Sequence, residues 1–207
     1  MFARVNSFGI HGLEGFLVTA EADLSGGLPQ FAIVGLPDSA VKEAADRVRS
    51  ASKNLGFGWP AGRITVNLAP AHRKKAGPVY DLPILLGILC AAGQLPPPPP
   101  DCAFVGELAL DGAVRPVNGV LPMALHAAAC GIKQLFVPAA NAREAAVAEG
   151  LTVYGVDSAR QVAEHLRGSA PLSPVEPCRY EGDAAGDIPD FADVHGQAEA
   201  RRAMEVA

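Results

Sequence analysis

The segment Asp81–Ala92 (DLPILLGILCAA) opens on one acid and is otherwise built from apolar residues and glycine. A helix with no polar face has to be enclosed by other elements. This one is too short to cross a bilayer, which takes about 20 apolar residues. No other stretch of about 18 residues in the chain escapes interruption by charge or proline, so a buried helix inside a folded domain is the expectation. The 207 residues, 49% of them apolar, suffice for one domain of average size with a real core and exclude disorder throughout.

Around that helix the pattern mixes strands and helices. Gly15–Leu24 and Arg63–Leu68 alternate apolar and polar residues as half-buried strands do, and Gln30–Val34 is a short apolar run after the turn Gly26-Gly27-Leu28-Pro29. A helix of about 17 residues is predicted from Asp38 or Ser39 as N-cap, with Val41, Ala44, Ala45, Val48 and Ala51 on one face and Gly56 as its stop. Beyond the stiff spacer Pro96–Pro100, a hairpin is expected over Phe104–Leu110 and Ala113–Val117, turning at Asp111-Gly112. Helices over Leu121–Ala129, Asn141–Glu149 and Ser158–Leu166 then alternate with strands at Gln134–Val137 and Thr152–Val156. Early strands followed by late helix–strand alternation leave α+β or α/β as the class. From Gly168 to Pro189 prolines, glycines and acids read as a linker, and Asp190–Ala207 reads as the truncated opening of something further.

Catalytic signatures are sparse. Cys90, Cys102, Cys130 and Cys178 are far apart and show no metal spacing, which reads as reduced thiols of a cytoplasmic protein. The first residues lack the apolar region of a signal peptide. The five histidines, His72 and His195 among them, form no helical zinc pair, so no metal site is assigned. Neither Gly-x-Ser-x-Gly, Gly-x-Gly-x-x-Gly nor a phosphate-loop motif occurs, so no nucleotide hydrolysis is expected of these residues. Ser39-Ala40-Val41-Lys42 fits Ser-x-x-Lys, but an N-cap serine with a solvated lysine explains it as well.

Charge is more informative. The formal net charge is -5, yet Lys42, Arg47, Arg49, Lys53, Arg63, Arg73, Lys74 and Lys75 face only Glu43 and Asp46 between residues 42 and 75. Eight bases against two acids make that segment +6 and the remainder -11. The eight cations are a candidate DNA surface, centred on the loop 72–78, where phosphate neutralisation would release counterions. Phe57 and Trp59 are the rings near it in sequence, so backbone contact is favoured over base stacking. The competing reading is an oligomerisation surface docking on a neighbour's acidic face.

Four segments carry a resemblance: Ile33-Val34-Gly35-Leu36-Pro37-Asp38-Ser39-Ala40-Val41-Lys42-Glu43-Ala44; Ile64–Pro70 running on to Gly77–Ile84; Glu107–Gly119; and Asp190–Gln197. Together they resemble the N-terminal part of the ComM/YifB family, labelled magnesium-chelatase-like. The resemblance implies an α+β domain similar to the Lon protease domain (a ribosomal protein S5 domain 2-like mixed sheet with packed helices) over residues 1–168. A linker over 169–189 and the start of an AAA+ module over 190–207 would follow. The family's ComM is a ring-forming helicase that promotes branch migration in natural transformation. The implied partners are therefore single-stranded, duplex or branched DNA and further copies in a ring such as a hexamer, with no membrane. The implied cofactors, ATP and Mg2+, belong to the longer parent protein and not to this segment. Val194, His195, Gly196 and Gln197 would lie against the adenine.

Lon-type peptidases use a Ser-Lys dyad, the serine lying in Gly-Pro-Ser-Ala-Gly. Here the matching stretch is Gly77-Pro78-Val79-Tyr80-Asp81, which puts Val79 at the nucleophile position, and Pro116–Leu121 puts Leu121 at the lysine position. Neither side chain can attack a carbonyl or hold a proton. No catalytic residue is therefore assigned, and the former cleft is expected to be packed core.

Overall fold

The computed structural model describes residues 1–178 and 196–206. Its centre is a seven-stranded sheet: β1 (Phe2–His11), β2 (Glu14–Ser25), β3 (Gln30–Val34), β4 (Arg63–Ala69), β5 (Cys102–Phe104), β8 (Gln134–Pro138) and β9 (Thr152–Val156). The spatial order is β3-β4-β2-β1-β5-β8-β9, with β1–β2 and β2–β4 antiparallel and the other four pairings parallel. A small ribbon of β6 (Glu107–Leu108) and β7 (Val114–Arg115) stands apart. The architecture is a mixed α/β fold with a mostly parallel sheet.

The apolar run becomes α3 (Asp81–Ala91), in which every residue but Cys90 is buried. It lies on the sheet face that carries Val5, Ala20 and Ala22, with Gly87 packed against the Ala22 methyl. α4 (Val120–Ala129) covers part of the opposite face, where a Cβ on Gly15 would collide with the Pro122 carbonyl and where Phe8 meets His126 edge-on at 6.0 Å. The far half of the sheet is held by a cross-strand ring stack. Phe104, Phe136 and Tyr154 share one register, with centroids 4.7 Å apart at each step, and His165 of α6 (Ala159–Leu166) closes on the last two. Such pairs contribute about 0.5–1.5 kcal/mol beyond their buried area.

Four expectations are revised. β1 is the long strand that the alternation count passed over: Ala3, Val5 and Ser7 face α3 through small side chains, so the apolar contrast along it is weak. The helix after Asp38 is two pieces, α1 (Ser39–Lys42) and α2 (Ala44–Asn54), with the Ala40 carbonyl receiving Arg47 Nη2 at 2.9 Å at the break. The hairpin near Asp111-Gly112 is shorter than expected, because Phe104 stays in the main sheet. Ala109 N–H bonds the Ala113 carbonyl across the three-residue loop Leu110–Gly112. Finally, α5 (Ala142–Ala145) is a single turn where the sequence predicts a helix over Asn141–Glu149, and Asn141 ahead of it spends its side chain on both backbone groups of Val117.

The chain stays packed beyond residue 168. Leu172 N–H donates to His165 Nδ1, Val175 N–H to the Val153 carbonyl, and Cys178 N–H to the Ala146 carbonyl. Among the described residues no helix is long and apolar enough to cross a membrane. The last described element is α7 (Ala198–Val206).

Candidate nucleic-acid interface

The segment 36–81 is knitted together by Asp38. Its Oδ1 caps α1 by accepting Val41 N–H at 2.8 Å, and its Oδ2 accepts Gly77 N–H at 3.1 Å. Backbone bonds Asp38 N–H to the Lys75 carbonyl and Lys75 N–H to the Leu36 carbonyl join the same two segments. One carboxylate therefore fixes the basic loop against the start of α1, the short helix that carries Lys42 and leads into α2.

Within this frame the eight cations part into different roles. Lys75 is fully buried, and its ammonium donates inward to the Pro70 and Arg73 carbonyls, which closes the loop on itself. Burial lowers its pKa. Arg47 reaches under α2 to Asp81, which is itself fully buried: Nε donates to Oδ2 at 2.6 Å and Nη2 to Oδ1 at 3.0 Å. The same Oδ2 accepts Leu108 N–H at 3.1 Å. The hydrogen bond that Arg47 donates to Asp81 raises the pKa of Arg47, while burial pushes the Asp81 carboxyl up against the pull of Arg47 and Leu108. Lys75 and Arg47 thus serve the fold, and both leave the proposed surface. A count of charges could not separate them from their exposed neighbours.

The other six remain exposed, and none forms an ion pair among the described residues. They do not make one patch. Arg49 and Lys53 stand one turn apart on α2, whereas Arg63 begins β4 beside the inward-facing Ile64 and so belongs to the other face of the sheet. Arg73 and Lys74 follow the other end of β4, roughly 20 Å from Arg63 by strand rise, and Lys42 lies on α1, about 10 Å from Arg49 by helix rise. The Arg73 guanidinium sits 5.1 Å above the Phe16 ring, an arrangement that steadies a long side chain. A pocket of about 250 Å³ lies beside the first group, lined by Arg49, Trp59, Phe31, Gln30 and Gly62 among others. The residues that meet there are far apart in sequence, and only the ring of Trp59, close to the basic segment, hinted at it.

Val79 and Leu121, which the resemblance sets against a Ser-Lys dyad, are both among the described residues. Val79 sits in the single 3₁₀ turn Pro78–Tyr80 and is 5% exposed, whereas Leu121 is half-buried in the first turn of α4, its N–H donating to Glu144 Oε1 at 3.0 Å. The cleft has not closed as expected. A groove of about 350 Å³ remains, lined by Ile10, Gly77, Val79, Val117 and Met123, with Glu107 at its wall. Val79 packs inward, but the backbone on either side, held by Asp38 at Gly77 and by Asn141 at Val117, keeps the walls apart. Glu107 pairs with Arg115 at 3.5 Å. Ser39 and Lys42 are both exposed and share no hydrogen bond among the described residues. Of the residues expected near an adenine, Val194 and His195 lie outside the described residues, and Gly196 and Gln197 lead into α7.

Residues 20–141 match the family model for subunit ChlI of Mg-chelatase. The competence protein ComM of Haemophilus influenzae is 42% identical over 205 residues, covering 95% of this chain and 39% of that protein. YifB of Escherichia coli is 40% identical over 190 residues, 91% of this chain and 37% of its own length. A weaker match, 31% over 125 residues, covers 56% of the chain and 15% of Lon protease 1 of Hydrogenovibrio crunogenus. The chain spans about two fifths of the length of the curated relatives that match nearly all of it. A family model over more than half the chain and these two relatives together show that the chain belongs to the magnesium-chelatase-like ComM/YifB family.

Proposed function

We propose that this chain is the DNA-engaging domain of a ComM-like AAA+ protein, built on a Lon-protease-like scaffold that has lost its peptidase function. The observation that carries the reading is the set of six exposed cations without acidic partners among the described residues, in a chain whose net charge is -5. Left without partners on the surface, they are free to neutralise phosphates. The valine at the nucleophile position and the partial match to a Lon protease support the scaffold and its loss of catalysis. ATP and Mg2+ belong to the rest of such a protein. The residues present do not fit them, since no phosphate-loop motif occurs in the sequence and no trio of metal-ligating side chains clusters among the described residues. In the full-length protein the domain would hold DNA beside an ATP-driven ring that migrates branches.

Fluorescence anisotropy with a labelled duplex tests this. Replacing Arg73 and Lys74 with Ala should lower the log–log salt slope by about 1.8, at about 0.9 per phosphate contact. An unchanged slope removes both residues from the interface. A second reading, contact with a neighbouring copy, is favoured by the edge strand β3, where Val34 and Leu36 are 44% and 55% exposed and Leu36 holds a positive φ of 58°. Strained, exposed apolar residues beside a free strand edge suit a protein interface. Light scattering with and without DNA separates the two.

A further inference from the structure

The pocket between α2 and the loop 56–62 is built more carefully than a surface dent. Gln94 clamps the loop with two bonds, accepting Gly58 N–H at 2.8 Å and donating to the Gly58 carbonyl at 2.7 Å. Arg167 donates to the Gln94 carbonyl at 3.0 Å and lies 5.6 Å over the Phe57 ring, so the clamp is itself supported. A side chain on Gly62 would run into the Ser25 carbonyl, so the loop can lie this close to β2 only with glycine there. These contacts set Trp59 against Phe31 with centroids 5.7 Å apart and planes tilted by 52°, while Trp59 stays half-exposed. Arg49 lines the same pocket, and among the described residues no carboxylate does.

A rigid, partly open indole with a guanidinium beside it, in a pocket whose described lining holds no acid, matches a flat aromatic ring that carries a phosphate. Resting on the DNA-engaging reading above, we infer that this pocket holds one unstacked base of single-stranded DNA. Trp59 offers its face, Arg49 pairs with the flanking phosphate or stacks on the base, and Lys53, one turn on along α2, continues the backbone track. A base inside a duplex has both faces covered by its neighbours, so only an unpaired strand can use this site. Gln30, on the edge strand, supplies an amide at the pocket wall.

The sequence contains a single tryptophan, so its fluorescence reports this site alone. With an oligothymidine of about 12 nucleotides, the intact chain should show quenching that saturates together with binding measured by anisotropy. A duplex of the same length should bind without quenching. Arg49→Ala, on the surface of α2, should weaken oligothymidine binding about tenfold, as should Trp59→Leu, in keeping with the loss of one stacked base. Arg49→Ala keeps the test valid should Trp59→Leu fail to fold. Replacing Arg73 and Lys74 with Ala should weaken both nucleic acids but leave the quenching at saturation unchanged.

Binding without quenching, or binding indifferent to Arg49→Ala yet weakened by the Arg73 and Lys74 changes, overturns the base pocket and leaves the DNA reading standing. Absence of binding to either DNA overturns both. Tighter binding of an oligouridine of equal length overturns the assignment to DNA.

Discussion

Removing the Asp81 carboxylate should cost this fold about 3 kcal/mol. Asp81→Ala deletes the acceptor of three hydrogen bonds, from Arg47 Nε, Arg47 Nη2 and Leu108 N–H, at a side chain with no exposure. An orphaned, fully buried Leu108 N–H alone costs about 1–3 kcal/mol. Breaking a buried ion pair from one side costs about 3–5 kcal/mol. The lower end applies here, because the Arg47 side chain is 19% exposed and can lean toward Glu43, 3.8 Å away and itself 72% exposed. With a urea slope of about 2 kcal/mol per molar, the midpoint should fall by about 1.5 M. Arg47→Met should cost less, about 2 kcal/mol, because burial already eases protonation of the stranded Asp81 carboxyl. The double variant Arg47→Met with Asp81→Ala should be more stable than the sum of the single losses allows, by more than about 0.5 kcal/mol. Urea unfolding followed by circular dichroism measures all four proteins. Simple additivity would refute the coupling. A folded Arg47→Met protein with weakened DNA binding would refute its purely structural role.

Two further outcomes follow from the same geometry. Asp38→Ala should lose about 1–2 kcal/mol, since the cap of α1 and the bond to Gly77 go together, and urea unfolding would show it as a lowered midpoint. His165 has its pKa lowered from its ordinary value near 6.5 by burial, and its Nδ1 accepts Leu172 N–H at 3.0 Å, which requires the neutral ring. The unfolded chain takes the proton first as pH falls, so stability held above about pH 6.5 declines below it toward the depressed folded value. His165→Phe keeps a ring against Phe136 and Tyr154 but should remove that decline, and parallel stability curves from about pH 7 to about pH 5 would contradict the assignment.

Much of the scaffold was legible because its signals are local. The aliphatic run named α3, the alternation named β2 and β4, and Asp38 announced its helix as a cap, while the capping box of Ser158 and Gln161 at the start of α6 went unread in the sequence. β1 was hidden because Ser7 and Gly9 occupy inward positions, Gly9 so that the Tyr80 hydroxyl can approach where a Cβ would collide. The interface was legible only as a sum. The sequence puts Lys74 and Lys75 side by side, yet the fold exposes one and closes its loop around the other. Arg47 and Arg49, two apart on one helix, point to opposite environments because successive residues on a helix do not share a face. Likewise Phe31, Arg49 and Trp59 meet only through tertiary packing, so no window of sequence displays their pocket.

The most direct measurement is the salt dependence of duplex binding by the intact chain, set against two variants. One changes Lys42, Arg49, Lys53, Arg63, Arg73 and Lys74 to Gln, and the other is Lys75→Met. The predicted result is a steep log–log slope for the parent chain, close to zero for the sixfold variant and unchanged for folded Lys75→Met. A flat slope for the parent chain, or loss of slope in Lys75→Met with the sixfold variant still binding, would contradict the assignment of these exposed cations to DNA.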